Sequence, residues 1–291
     1  MIPRFSLLRP RSLDEGFAAF VAAAGEGAWI AGGTELLQVM KMGLAQFATL
    51  IDVKAIPELH GIAIDDEGGL VIGAGTTHRL VERSAIVRAA LPGLATLAAR
   101  IANVRVRNTG TLGGNLAFAE PHSDPATFLL ACGAAVRLVG PGGARDLPIG
   151  DFVLGPLFTA READELLVSV RIPAAGPAVG RAYAKLAFFE RPAASVAVRL
   201  AIRDGHVAEA TVVAGSLSEV PTVVEEAGRA LDGSEATGAG LTSRLGAAAE
   251  AFGALDVVPD LNGSADYKRH LAGVLLHRAA QQALVEAHAR A

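Results

Sequence analysis

Apolar and polar positions change their period several times along the chain, and each change marks an element. Ser12 and Glu15 stand three apart before an apolar run, a capping box in which the serine accepts from an early helical N–H and the glutamate reaches back. Phe17, Phe20, Val21 and Ala24 then give an apolar face to a helix that stops at Gly25. A strand at 29–31, a Gly-Gly turn, a helix from 34 to about 42 and a strand at 50–53 close a β-α-β-like unit. Leu36, Leu37, Val39 and Met40 supply the expected buried face of that second helix. From 55 to 173 the pattern predicts strands at 62–64, 70–72, 136–139 and 166–172, two helices across 81–100, and a helix after Asp124. The stretch 174–180 reads as a linker. Beyond it, 182–188, 196–203 and 207–214 alternate like antiparallel strands, the last two joined by the hairpin pair Asp204-Gly205, and 221–231 and 265–287 read as helices. The order predicts an α+β protein divided at 1–54, 55–173 and 178–289.

Composition narrows the class. With 51% hydrophobic residues and a mean hydropathy of +0.39 over 291 residues, the chain can bury a sizeable core. No apolar run approaches the ~20 residues of a membrane span, and the opening residues lack a signal-peptide core, so a soluble cytoplasmic protein without membrane insertion is expected. A net charge of −4 and no basic stripe interleaved with aromatics argue against nucleic acid. Cys132 is the sole cysteine, which rules out an internal disulfide and a four-cysteine iron–sulfur site in this chain.

Two glycine-rich turns carry the candidate chemistry. Ala31, Gly32, Gly33, Thr34 and Glu35 lie between a strand and a helix, where missing Cβ atoms let a diphosphate approach the backbone and the following N–H groups face negative charge. Thr111, Leu112, Gly113, Gly114 and Asn115 predict a second concave anion nest, with Gly113 at a positive φ. Either alone could be a plain tight turn. Other nucleotide signatures fail: there is no P-loop, and after Gly73 and Gly75 the third glycine of a dinucleotide fingerprint would fall on His78. No catalytic dyad, triad or metal-ligand cluster appears.

At these residues the chain resembles the FAD-binding subunit of the xanthine dehydrogenase and carbon monoxide dehydrogenase family. The segments WIAGGTELLQVMKMG, RVRNTGTLGGNLAFAEPHSD, FVLGPLFTAREADELLVSVRIP, YAKLAFFERPAASVAVRLAI and GSADYKRHLAGVLLHRA follow that family's order over nearly the whole chain. The resemblance implies a two-lobed FAD-binding domain of the vanillyl-alcohol-oxidase-like type, followed by a C-terminal three-stranded antiparallel sheet with helices. It places FAD against Trp29, Ile30, Ala31, Gly32, Gly33, Thr34, Glu35 and Leu36, and against Thr111, Leu112, Gly113, Gly114 and Asn115. Asp124 matches a carboxylate near the ribose and diphosphate, Ile101 and Leu167 match apolar packing positions, and Lys185 matches a cation beside the flavin ring.

Plainer roles stand beside these. Asp124 could cap the following helix, Lys185 could lie in solvent, Ile101 and Leu167 could be ordinary core, and His122 in the intervening loop is a weak acid–base candidate. Phe188, Pro192 and Ala193 replace an arginine and an Asp-aromatic pair common in the family, which predicts a more apolar flavin surround. The resemblance further implies a molybdenum cofactor on a large subunit and two [2Fe–2S] clusters on a small one, assembled as a dimer of heterotrimers, with FAD here relaying electrons to an external acceptor. A free-standing flavoenzyme and a fold that has lost its FAD are the rival readings. Because residues 32–35 include no histidine or cysteine, the FAD should be held non-covalently.

Overall fold

The computed structural model describes residues 2–188 and 190–291. Its first unit comprises β1 (Ser6–Leu8), α1 (Leu13–Ala22), β2 (Gly27–Ile30), α2 (Leu36–Lys41) and β3 (Thr49–Asp52), with the strands in a parallel sheet of order β1-β3-β2. β1 was not legible from the pattern: it is three residues long and exposed throughout, so no alternation marks it. The capping box forms with a shift, since Ser12 accepts from the Glu15 N–H while the Glu15 carboxylate accepts from Arg11 N–H at 2.7 Å. α1 ends before Ala24 and leaves Val21 exposed; its inner face is Gly16 with the partly covered Phe17 and Phe20.

The next unit runs β4 (Ile62–Ile64), β5 (Leu70–Gly73), α3 (His78–Arg83), α4 (Ala85–Ala90), α5 (Pro92–Ala99), α6 (Val104–Thr109), α7 (Leu112–Phe118), α8 (Asp124–Ala131), β6 (Ala135–Gly140), β7 (Gly143–Pro148), α9 (Ile149–Phe152), β8 (Val153–Gly155), β9 (Phe158–Thr159) and β10 (Leu166–Ile172). Its main sheet is antiparallel, in the order β4-β5-β10-β6-β7. The helices close over one face of it, burying Ile72, Leu94, Leu97, Phe128, Leu129, Val136 and Val170 in one core. The second glycine-rich segment is therefore not a free turn but the first turn of α7, with Thr111 as its N-cap.

The last unit holds β11 (Val179–Ala187), β12 (Pro192–Arg203), β13 (His206–Gly215), β14 (Thr222–Val223), α10 (Glu225–Leu231), α11 (Gly238–Glu250) and α12 (Ala265–Ala289). The antiparallel order is β11-β12-β13-β14, one short strand more than the pattern predicts, and α11 is likewise an addition. The expected linker is shorter than the sequence implies, because Val179 and Gly180 already belong to β11 and are buried. Gly180 has a packing reason: an added Cβ would overlap the Ala283 carbonyl oxygen. Ala272, Ala279, Ala280, Ala283 and Ala287 line the same face of α12, and these small side chains let the helix lie close on the sheet. Lys268 on α12 is fully buried and donates to the Ser216 and Val258 carbonyls at 3.3 and 3.0 Å, anchoring the loop that carries Asp260. Among the described residues no helix is long and apolar enough to cross a membrane.

Candidate functional site

A cleft of about 530 Å³ opens between the first two units and runs under the β11–β12 connection. That is the scale of a small-molecule or cofactor site. Its wall takes in both glycine-rich segments. Trp29, Ile30, Ala31, Gly32, Gly33, Thr34, Glu35 and Leu36 line it from one side, and Thr111, Gly113, Gly114, Asn115, Asp124, Ile101 and Leu167 from the other. Leu112 and Lys185 are not part of the wall. Leu112 points into the core at 1% exposure, and Lys185 sits behind Asp124.

The two segments touch backbone to backbone. A Cβ on Gly32 would overlap the Thr109 carbonyl and come within 2.7 Å of Gly110 Cα, so glycine is what allows the first turn to seat on the end of α6. Gly33 adopts φ +68°, a left-handed conformation that favours glycine. Gly113 departs from expectation: it is helical, without a positive φ, and its need for glycine is the Ala74 backbone, whose Cα lies 2.8 Å from where a Cβ would be.

Hydrogen bonding separates the roles of the two segments. The Leu112 and Gly113 N–H groups donate to the Thr76 and Ala74 carbonyls at 3.0 and 2.9 Å, and those of Gly114 and Asn115 donate to Thr111. The second segment is thus not the open anion nest its composition predicts; its donors are spent on strand-end carbonyls and on its own cap. By contrast, the N–H groups of Gly32 through Leu36 have no acceptor among the described residues. A run of unpaired N–H groups on a glycine turn is the donor set that an anionic diphosphate satisfies. Asn115 adds one more donor, since its Oδ1 accepts from Ser123 Oγ at 2.6 Å and its amide N–H groups remain free among the described residues.

Asp124 is the first residue of α8, and it does not cap that helix. Its carboxylate accepts from the Tyr183 hydroxyl and, at 2.6 Å, from the Lys185 ammonium. Lys185 also donates to the Arg100 carbonyl at 3.0 Å, so it is neither solvent-exposed nor on the cleft surface. Burial pushes the Asp124 carboxyl above its ordinary pKa, with Lys185 and Tyr183 opposing.

The apolar surround expected near Phe188, Pro192 and Ala193 is not what the cleft meets. Phe188 is exposed, Pro192 and Ala193 are buried in β12, and the wall is formed by Glu190 and Arg191. Arg191 pairs with Glu35 at 3.0 Å and with Glu120 at 3.1 Å. His122 continues this chain, with Nδ1 3.1 Å from Glu120 and Nε2 2.7 Å from Asp260 of the last unit. Both ring nitrogens are thereby occupied. The Glu120 hydrogen bond, with Asp260, raises the His122 pKa despite partial burial, and with both ring nitrogens paired to carboxylates the ring has no free nitrogen to offer a ligand.

Trp29 joins the units in another way. It stacks on Phe20 with ring centroids 4.8 Å apart and donates its indole N–H to the Ala163 carbonyl at 3.2 Å. Arg161, Arg191, Glu120 and His78 are cleft residues that motif reading passed over. Their signal is three-dimensional, except that His78 follows the glycines of the Gly73–Gly75 turn.

Comparison with known proteins agrees with this architecture. A family described as the FAD binding domain in molybdopterin dehydrogenase matches residues 3–175, and the CO dehydrogenase flavoprotein C-terminal domain matches residues 190–283. The carbon monoxide dehydrogenase medium chain of Hydrogenophaga pseudoflava is 36% identical over 95% of this chain and 96% of its own length. The nicotine 6-hydroxylase medium subunit of Paenarthrobacter nicotinovorans is 33% identical over 90% of this chain and 89% of its own. Among solved structures, a chain of the Hydrogenophaga pseudoflava carbon monoxide dehydrogenase superposes with a TM-score of 0.92 at 35% identity, covering 98% of this chain and 99% of that one. A chain of quinoline 2-oxidoreductase from Pseudomonas putida 86 superposes with a TM-score of 0.91 at 29% identity, covering 99% of each.

Proposed function

Because this chain belongs to the FAD-binding medium-subunit family of the molybdenum-containing dehydrogenases, we propose that it holds one non-covalent FAD in the cleft and relays electrons from a partner subunit to an external acceptor. The observation that carries this reading is the unpaired N–H run from Gly32 to Leu36, set in a wall where glycine is required for the backbone itself to fit. In this reading the first turn cradles the diphosphate, and Asn115 and Asp124 address the ribose and phosphate region. Ile101 and Leu167 pack on the cofactor, Gly113 and Gly114 keep the opposite wall close, and Lys185 acts from behind Asp124 rather than at the flavin ring. Bound FAD supplies the electron transfer that no side chain can. The protein's part is to bind it, orient it and exclude water.

The proposed organisation is two FAD-binding lobes at 1–54 and 55–173 followed by a C-terminal unit at 178–289, which the separate sheets support. A medium chain implies a larger and a smaller companion. We place the molybdenum cofactor on the large one and two [2Fe–2S] clusters on the small one, in a cytoplasmic dimer of heterotrimers. The test is anaerobic mixing of the FAD-loaded chain with its reduced iron–sulfur partner. Flavin absorbance should bleach with the partner and remain when small organic compounds are added to the chain alone. Rapid bleaching of the isolated chain by an organic compound would make it a free-standing flavoenzyme instead.

A further inference from the structure

His78 is an imidazole in the cleft wall that makes no side-chain hydrogen bond among the described residues. It opens α3, its backbone N–H donates to the Gly110 carbonyl at 3.0 Å, and its side chain faces the cleft at 3% exposure. No hydrogen bond to either ring nitrogen forms among the described residues, and neither is among the fully enclosed side-chain atoms left without a partner, so the ring keeps some access to the cleft. A polar ring that borders a cofactor-sized cleft and has no protein partner is a group that a bound ligand can complete. The ring's place says which part of a ligand. A Cβ built on Gly110 would lie 3.4 Å from both His78 Cδ2 and Thr34 Oγ1, so the imidazole and the first glycine turn flank one spot. What gathers there is donors and positive charge: the free N–H groups of Gly32 to Leu36, the Thr34 hydroxyl and, nearby on α6, Arg107. The neighbouring carboxylate of Glu82 is already engaged by Arg79 and Arg107, at 2.6 and 3.3 Å.

We propose that His78 is a further cofactor-binding residue, donating a ring N–H to the diphosphate held by the first glycine turn. The inference rests on the FAD reading above and adds a residue to it. Burial, with Arg107 adding to it, holds the ring's pKa at about 4, so at neutral pH it is uncharged. A neutral imidazole still carries one N–H, and that is sufficient for the contact.

The test measures affinities of the full-length, flavin-stripped chain for FAD, ADP and adenosine, in the wild type, His78→Leu and His78→Gln. Circular dichroism and thermal midpoints check that each variant folds. One hydrogen bond to a charged acceptor corresponds to about 10- to 100-fold in affinity. His78→Leu should lose about that much for FAD and ADP and nothing for adenosine, while His78→Gln, which keeps an N–H donor, retains most of the binding. Unchanged FAD and ADP affinity in His78→Leu, or an equal loss for adenosine, overturns the assignment. A wild-type chain that takes ADP but not FAD removes the FAD reading and keeps His78 as a diphosphate ligand. One that takes neither removes both.

Discussion

The Lys185 ammonium lies 2.6 Å from the Asp124 carboxylate, with both side chains almost completely shielded from solvent. The pair joins β11 of the last unit to the start of α8 at the cleft wall, so a charge deep in one unit fixes a carboxylate that faces the cofactor space in another. Removing one partner of a buried pair typically costs ~3–5 kcal/mol, because the other charge is left uncompensated. Lys185→Met should therefore destabilise the chain by about that order, and the loss should grow as pH rises through the Asp124 pKa, where the carboxyl must ionise alone. Lys185→Met combined with Asp124→Asn should recover much of the loss. Denaturant unfolding at several pH values checks both; equal losses for the single and double variants would show that the pair is not coupled.

Gly113→Ala tests the close approach of α7 to the end of β5. The new methyl meets the Ala74 Cα and carbonyl, at 2.8 and 2.9 Å from the built Cβ. Overpacking of this kind costs ~1–3 kcal/mol, and here it pushes on the cleft wall. FAD content should fall together with stability. Gly143→Ala is the control: φ is +110° but the space around it is open, so it should cost some stability and leave FAD content unchanged.

His122 gives the cleft a pH dependence of definite sign. Its folded-state pKa is raised, by Glu120 first and Asp260 after, so its contribution is complete below its ordinary value near 6.5 and fades as pH rises through the raised value. The stability difference between wild type and His122→Gln should be largest in mildly acidic buffer and shrink toward alkaline pH. Thermal midpoints across that range measure it, and a difference that widens with pH would contradict the His122–Asp260 tie.

Cys132 should be silent toward thiol reagents in the folded chain. It is buried, and loss of solvation pushes its pKa up to about 12. Modification kinetics should follow global unfolding, and prompt labelling of the native chain would place this part of the core in solvent.

How much of this was legible in the sequence depends on the range over which each signal acts. The capping box, the Asp204-Gly205 hairpin and the β2–turn–α2 segment are local, and each was found near its place. α7 was hidden because Gly113 and Gly114 read as a turn, whereas Thr111 capping and contact with Ala74 hold them helical. Gly180 read as linker for the same reason: its partner, Ala283, is a hundred residues away. At the site, most of the residues that the resemblance names line the cleft, but residue types could not show which N–H groups were already spent. Nor could they show that Lys185 acts through Asp124, or that Arg191 and His122 close an ion-pair chain across units.

Amide hydrogen exchange of the full chain with and without FAD bears most directly on the central claim, that the first glycine turn is the diphosphate cradle. The N–H groups of Gly32 to Leu36 are unpaired among the described residues and those of Leu112 to Asn115 are already bonded. FAD should therefore slow exchange strongly at Gly32 to Leu36 and change Leu112 to Asn115 little. Strong new protection at Leu112 to Asn115, with none at Gly32 to Leu36, would contradict the account.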